Sequence, residues 1–198
     1  MPRPRRIVPA LLLATLLTVS ACSASIRAGK DDGPTLTGGA SEVIGDADEG
    51  VAGVQEIRVA ENDHTSASVD YTLRPPAGGA HNPEWWNCGF YDEPVVDESA
   101  VHDLEHGAVW LAYSPDLTPA DVEVVHDLAR ANPKVLAAPY PDLGAGEAVV
   151  ATAWARQLRL DSVGDERLTK FVEVYLDGRQ APEPGVTCTG TSLGEPLR

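Results

Sequence analysis

The segment His102-Asp103-Leu104-Glu105-His106 holds the residues best suited to chemistry in this chain. On a helix, positions four apart share one face, so His102 and His106 point the same way, and Glu105, three after His102, lies near that face. Two imidazoles and a carboxylate make a ligand set for a divalent metal. With open coordination positions the same set activates water or binds iron. Two more histidines can join it. His81 sits in the Gly-rich loop Pro75-Pro76-Ala77-Gly78-Gly79-Ala80-His81-Asn82-Pro83, which can bring it close, and His64 precedes an alternating Val69, Tyr71, Leu73 run and could meet the same sheet end. The candidate ligands are therefore His102, His106, Glu105, His81 and His64. Imidazole suits zinc, copper(II) and nickel, and zinc or copper(II) is the expected ion. The only methionine is Met1, which excludes a methionine-rich copper(I) site. His126, between Val125 and Asp127, is expected at the surface.

Other readings of these residues stay open. His102 to His106 also spells H-x-x-E-H, a metalloprotease pattern in which the Glu is the general base. A metal-dependent hydrolase with Glu105 as base is one reading, but Gly107 follows His106 at once, whereas such enzymes need a longer helix and a further carboxylate ligand. Histidines at a helix end can instead cap carbonyls and pair with one another. In that case the domain is a non-metal envelope binding module with structural histidines. Trp85-Trp86 and Tyr91 would then line a ligand groove or partner surface, or form the core under a long loop. Asp92-Glu93, Asp97-Glu98 and Asp103 either favour a cation nearby or form a solvated edge. Motifs of serine hydrolases, phosphate-binding loops and thioredoxin-type C-x-x-C sites are absent from the sequence.

Elements that position these residues begin with an export signal. Arg3, Arg5 and Arg6 precede an apolar run from Ile7 to Val19, the order of a secretory signal. Leu17-Thr18-Val19-Ser20-Ala21-Cys22 resembles the bacterial lipobox. That resemblance implies cleavage before Cys22, lipid on its sulfur and a membrane-anchored protein on the extracytoplasmic face of the cell membrane, with acyl chains such as palmitate as the anchor. Residues 1–21 are thus read as signal peptide, 22–54 as lipidated Cys and flexible tether, and 55–198 as a single domain. Residues 1–21 carry three Arg and no acid. Without them 12 basic residues face 30 acidic ones, a formal charge of −18. Such a surface is expected to repel nucleic acid and anionic headgroups; it either attracts cations or a basic partner or serves only as a solvated, non-aggregating surface. Cys88 and Cys188 are then the remaining cysteines, and in an oxidising compartment they are expected to form a disulfide; the alternative, Cys88 as a metal ligand, lacks the support of a C-x-x-C spacing.

Within the domain, strands are expected around Ile57–Val59 and Val69–Leu73, followed by a long loop over 77–99 stapled at Cys88. A short helix over 101–106 ends at Gly107, and a buried strand covers 108–113. Thr118 caps a helix with Pro119 at its first position, stopping before Asn132-Pro133. A strand at 135–138, a long strand over 148–160 containing Trp154, and a helix capped by Asp165 complete the order. The expected class is α+β, with a mainly antiparallel sheet and two helices packed on one side.

Several of these runs together resemble a bacterial family, the domain of unknown function 3105. They are Val69-Asp70-Tyr71, Pro75-Pro76 through Gly79 to His81, Cys88-Gly89-Phe90-Tyr91, Val101 through His106-Gly107 to Trp110, and Ala151-Thr152-Ala153-Trp154. The resemblance covers about residues 55–185. It implies that His81, His102, Glu105 and His106 belong to the family pattern, and that members are often exported or membrane-attached. It implies no activity.

Overall fold

A computed structural model describes residues 36–39, 41–47, 49–191 and 193–197. The signal segment, Cys22 and the start of the expected tether lie outside the described residues. In chain order the elements are β1 (Leu36–Gly39), β2 (Ser41–Asp46), β3 (Gln55–Val59), β4 (Val69–Tyr71), β5 (Gly89–Phe90), α1 (Asp97–Glu105), β6 (Val109–Tyr113), α2 (Pro119–Ala131), β7 (Val135–Pro139), β8 (Val149–Ala153), β9 (Arg156–Leu160) and α3 (Glu166–Tyr175). Seven strands form one sheet in the order β2-β3-β9-β8-β6-β7-β5, while β1 and β4 pair separately in parallel. Among the described residues no helix is long and apolar enough to cross a membrane.

The class is α+β, but the sheet is mixed. The neighbours from β2 to β6 are antiparallel, and β6–β7 and β7–β5 are parallel. The cause is the β6-α2-β7 connection: a strand returning through a helix re-enters the sheet in the same direction. Period-two alternation then splits the core. Val109, Leu111 and Tyr113 of β6 face one apolar cluster, with Val125 of α2 and Leu168, Phe171, Val172 and Tyr175 of α3. Ala108, Trp110 and Ala112 face the other, with Ala100, Val101 and Leu104 of α1. Two helices do share one face, and a third, α1, covers the opposite face together with the long loop.

Local signals explain most element ends. Thr118 Oγ1 accepts a hydrogen bond from Asp121 N at 3.2 Å, and Asp165 Oδ1 accepts one from Arg167 N at 2.9 Å. Helix α1 starts at Asp97, earlier than expected and inside the segment read as loop. Its N-cap, Val96, provides no side-chain bond, and every residue from Ser99 to Glu105 is buried, so neither a cap nor an amphipathic stripe marks it. It ends where the sequence indicated. Gly107 (φ 90°) lets Ala108 N donate to Asp103 O and Gly107 N donate to Leu104 O. A Cβ at Gly107 would lie 2.8 Å from Asp177 Oδ1, so the same glycine admits the returning tail.

Two further expectations are corrected. The long strand over 148–160 is a hairpin, β8–β9, turning at Trp154-Ala155, where Ala155 takes φ 58°. Hairpin turns of this kind usually advertise themselves with Gly or Asn. Here Ala155 N donates to Ala77 O and Ala155 O accepts from Ile57 N, so tertiary contacts hold the turn instead. The expected tether also contributes to the fold. β2 pairs with β3, and Ala47, Val51 and Val54 are buried against the α3 side of the sheet. Strand β2 is largely exposed, which removes the alternation that would have revealed it.

Candidate metal centre

The buried end of α1 delivers the first two imidazoles. His102 Nε2 and His106 Nε2 stand 3.0 Å apart, one helical turn separating their backbones. Glu105 comes from the same turn, with Oε2 3.9 Å from His102 Nε2. The Gly-rich loop delivers the third. His81 Nε2 lies 3.1 Å from Glu105 Oε2. Gly78 and Gly79 both take positive φ, and a Cβ on Gly78 would come within 2.8 Å of Val59, so this approach requires glycine. His64 arrives by a short bridge between chain segments: His81 N donates to Asp63 O and Thr65 N donates to His81 O. Its Nε2 is 3.4 Å from Glu105 Oε2, on the exposed side of the cluster. All five expected ligands thus meet, and four of them (His81, His102, Glu105 and His106) are at most 5 % exposed.

The protonation pattern follows from backbone carbonyls, which can only accept. His81 Nδ1 donates to Gly79 O at 2.8 Å, His102 Nδ1 to Asn82 O at 2.7 Å, and His106 Nδ1 to Thr187 O at 2.9 Å. Each neutral ring therefore carries its proton on Nδ1 and turns the lone pair of Nε2 inward. For His102 and His106, which burial keeps neutral, the result is acceptor against acceptor at Nε2, while Nε2 of His81 faces the Glu105 carboxylate at 3.1 Å. A metal ion at this convergence would take up those lone pairs. Anchoring the outer nitrogen of a ligating histidine in this way is the usual outer-shell arrangement of metal sites. Metal–nitrogen bonds of about 2.0–2.1 Å place neighbouring donor atoms roughly 3.0–3.4 Å apart, which matches the 3.1 and 3.4 Å from Glu105 Oε2 to His81 and His64, with His102 farther away at 3.9 Å.

Burial pushes His102 down to about 4, against the favourable bond to Asn82 O, and burial likewise lowers His106. Unfolded, His102 takes up its proton near pH 6.5. Between that pH and about 4 the unfolded chain binds a proton that the native chain refuses, so stability is lost as pH falls through this window. Asp97 opposes this trend. Burial raises it to about 6, and it relaxes as pH falls towards 3.8. Comparing chelator-treated wild type with His102→Gln cancels the carboxylates remote from His102, Asp97 among them. The stability advantage of wild type over the variant should shrink by on the order of 3 kcal/mol between pH 6.5 and 4. A pH-independent difference in denaturant titrations would contradict this.

The surroundings shut the cluster in. The Trp85 ring lies edge-on to His102 and His106, with centroids 5.3 and 5.0 Å away, and Trp154 stands 6.0 Å from His81. Trp86 turns aside to Tyr91. Asp103 was grouped with a possible solvated edge, yet it is fully buried; its Oδ2 accepts from Trp86 N at 3.2 Å, and burial holds its carboxyl well above the usual range. His126 is half-buried against Phe90, not a free surface residue. Cys88 and Cys188 form the disulfide, with Cα atoms 5.4 Å apart, clamping the tail to the long loop. That tail also brings Glu183, which sequence reading missed. Its Oε2 lies 4.0 Å from His106 Nε2, and its backbone N donates to Glu105 O at 3.0 Å. Only the fold of the tail after α3 reveals it.

Buried His and Glu groups of this arrangement could hold a metal ion. No curated protein and no solved structure matches the chain. A family model does match residues 63–190, a span that includes all five expected ligands, Glu183 and both cysteines of the disulfide, and the chain therefore belongs to the family described as Protein of unknown function (DUF3105).

Proposed function

We propose that this chain is an extracytoplasmic lipoprotein, held to the cell membrane by lipid on Cys22, whose domain binds a divalent metal, zinc or copper(II). His81, His102, His106 and Glu105 form the buried part of the site, and His64 closes it from solvent. One observation carries this reading. Three imidazoles have Nδ1 bonded to backbone carbonyls and so turn Nε2 inward, where His102 and His106 meet lone pair to lone pair and His81 meets the Glu105 carboxylate. A cation removes that repulsion and neutralises a carboxylate that is expensive to bury alone. The nitrogen-rich set favours zinc or copper(II) over magnesium or calcium. Glu105 turns its oxygen to the histidines, which suits a ligand better than the detached general base of a metalloprotease.

Binding to the native state alone stabilises it by mass action. The full chain should therefore gain about 2.7 kcal/mol of unfolding free energy when free zinc reaches about 100 times its dissociation constant. His102→Ala/His106→Ala should gain nothing. Equal responses in the two proteins, or none in wild type with zinc or copper(II), would overturn the proposal.

A further inference from the structure

The donor atoms fall into two overlapping sets. His64, His81, His102 and Glu105 offer atoms that all lie within 4.8 Å of one another; Glu105, His106 and Glu183 form a second such set. His106 belongs to the second set and not the first. Glu105 belongs to both, and a carboxylate has two oxygens, so it can serve one ion with each. We propose that the centre holds two divalent ions bridged by Glu105, the first on His64, His81 and His102, the second on His106 and Glu183. This inference rests on the metal-binding reading above and extends it.

The second set is built, not incidental. Glu183 N donates to Glu105 O at 3.0 Å, which holds the two residues side by side, and Thr187 O, four residues on, orients the His106 ring. One strap of the tail thus supplies both a ligand and the anchor of its partner ligand, and Cys188 clamps that strap to Cys88. Charge agrees. Two carboxylates converge on this short stretch beside neutral imidazoles, and the cations within reach of His106 are not ligands: Lys134 Nζ donates to the His106 carbonyl, away from the ring. Bridged pairs of this kind place their ions about 3.5–4 Å apart. That distance lets His102 and His106, with Nε2 atoms 3.0 Å apart, serve neighbouring ions. The second position, with one imidazole and two carboxylates, is richer in oxygen and suits zinc or manganese better than copper. Glu183 is 58 % exposed at its side chain, so the second ion is the one that exchanges with solvent.

The test is zinc stoichiometry of the full chain, made without a histidine tag, saturated with zinc and freed of unbound ion. Two zinc ions per chain are expected in wild type and one in Glu183→Gln, an exposed substitution that leaves the fold intact. Cobalt(II) provides an independent readout. Its paramagnetic signal should be attenuated by coupling in wild type and recovered in the variant. One zinc per chain in both proteins would overturn the two-ion proposal and leave the metal-binding reading standing. Two in both would remove Glu183 from the site and overturn the assignment. No zinc in wild type would overturn both readings together.

Discussion

Glu105→Gln is expected to lower zinc affinity by about 100-fold or more while leaving the metal-free chain as stable as wild type, or more stable. Outer-shell partners of metal ligands already cost about 10–100-fold when lost, and a ligand should cost at least the upper end. Glu105 faces His81, His64 and His102 through a single oxygen and is almost wholly buried. Without an ion, a carboxylate buried there is costly. Gln is nearly isosteric, carries no charge and can donate from its amide to His81 Nε2, a net gain on the order of 1 kcal/mol. The two conditions should therefore give opposite signs: lower stability than wild type with zinc, equal or higher stability without it. A structural histidine cluster held by an imidazolium–carboxylate pair predicts loss in both. Denaturant midpoints of the two proteins, with zinc and with chelator, separate these outcomes, and a chelator competition titration gives the affinity.

Cys88→Ser should have the largest effect on the fold itself. The disulfide joins residues 100 apart in sequence, and in the chain-entropy model a loop of that length is worth up to about 4.7 kcal/mol. Losses of native disulfides usually fall at about 2–5 kcal/mol. The local cost is added to by geometry, since Cys88 N donates to Cys188 O at 2.7 Å and the pair sits beside the buried Asp103. The effect should reach the metal centre. Thr187, next to Cys188, supplies the carbonyl that orients His106, so zinc affinity should fall about 10-fold even where the variant remains folded. Unchanged stability and unchanged zinc affinity would show that the tail is held without the disulfide. Its other ties are substantial, notably Asn87, whose side chain bonds Gly190 N, Thr191 O and Gly194 O.

Much of the site was legible because its key spacing is local. A spacing of four positions from His102 to His106 puts both rings on one helical face whatever the rest of the chain does, and Gly107 marks where that helix must end. The loop carrying His81 could be recognised by its glycines, though the conformations of Gly78 and Gly79 that aim it are tertiary. Glu183 had no such signal. An isolated acid in a Pro-rich tail gains meaning only when the strap lies across Glu105. The fold divides in the same way. Capped helices α2 and α3 and the apolar strand β6 declare themselves through side-chain chemistry. Helix α1, buried along most of its length and uncapped, does not, and strand β2 is too exposed to show alternation. The hairpin at Trp154-Ala155 reads as one strand because backbone bonds to Ala77 and Ile57 replace the usual turn residues.

The most direct measurement is the metal content of the full chain, purified without a histidine tag and exposed to micromolar zinc or copper(II), beside His102→Ala/His106→Ala treated identically. Metal retained by wild type and lost from the double variant, with unchanged far-UV circular dichroism, is the predicted result. Absence of metal from both proteins, or equal retention by both, would contradict a metal centre at these histidines.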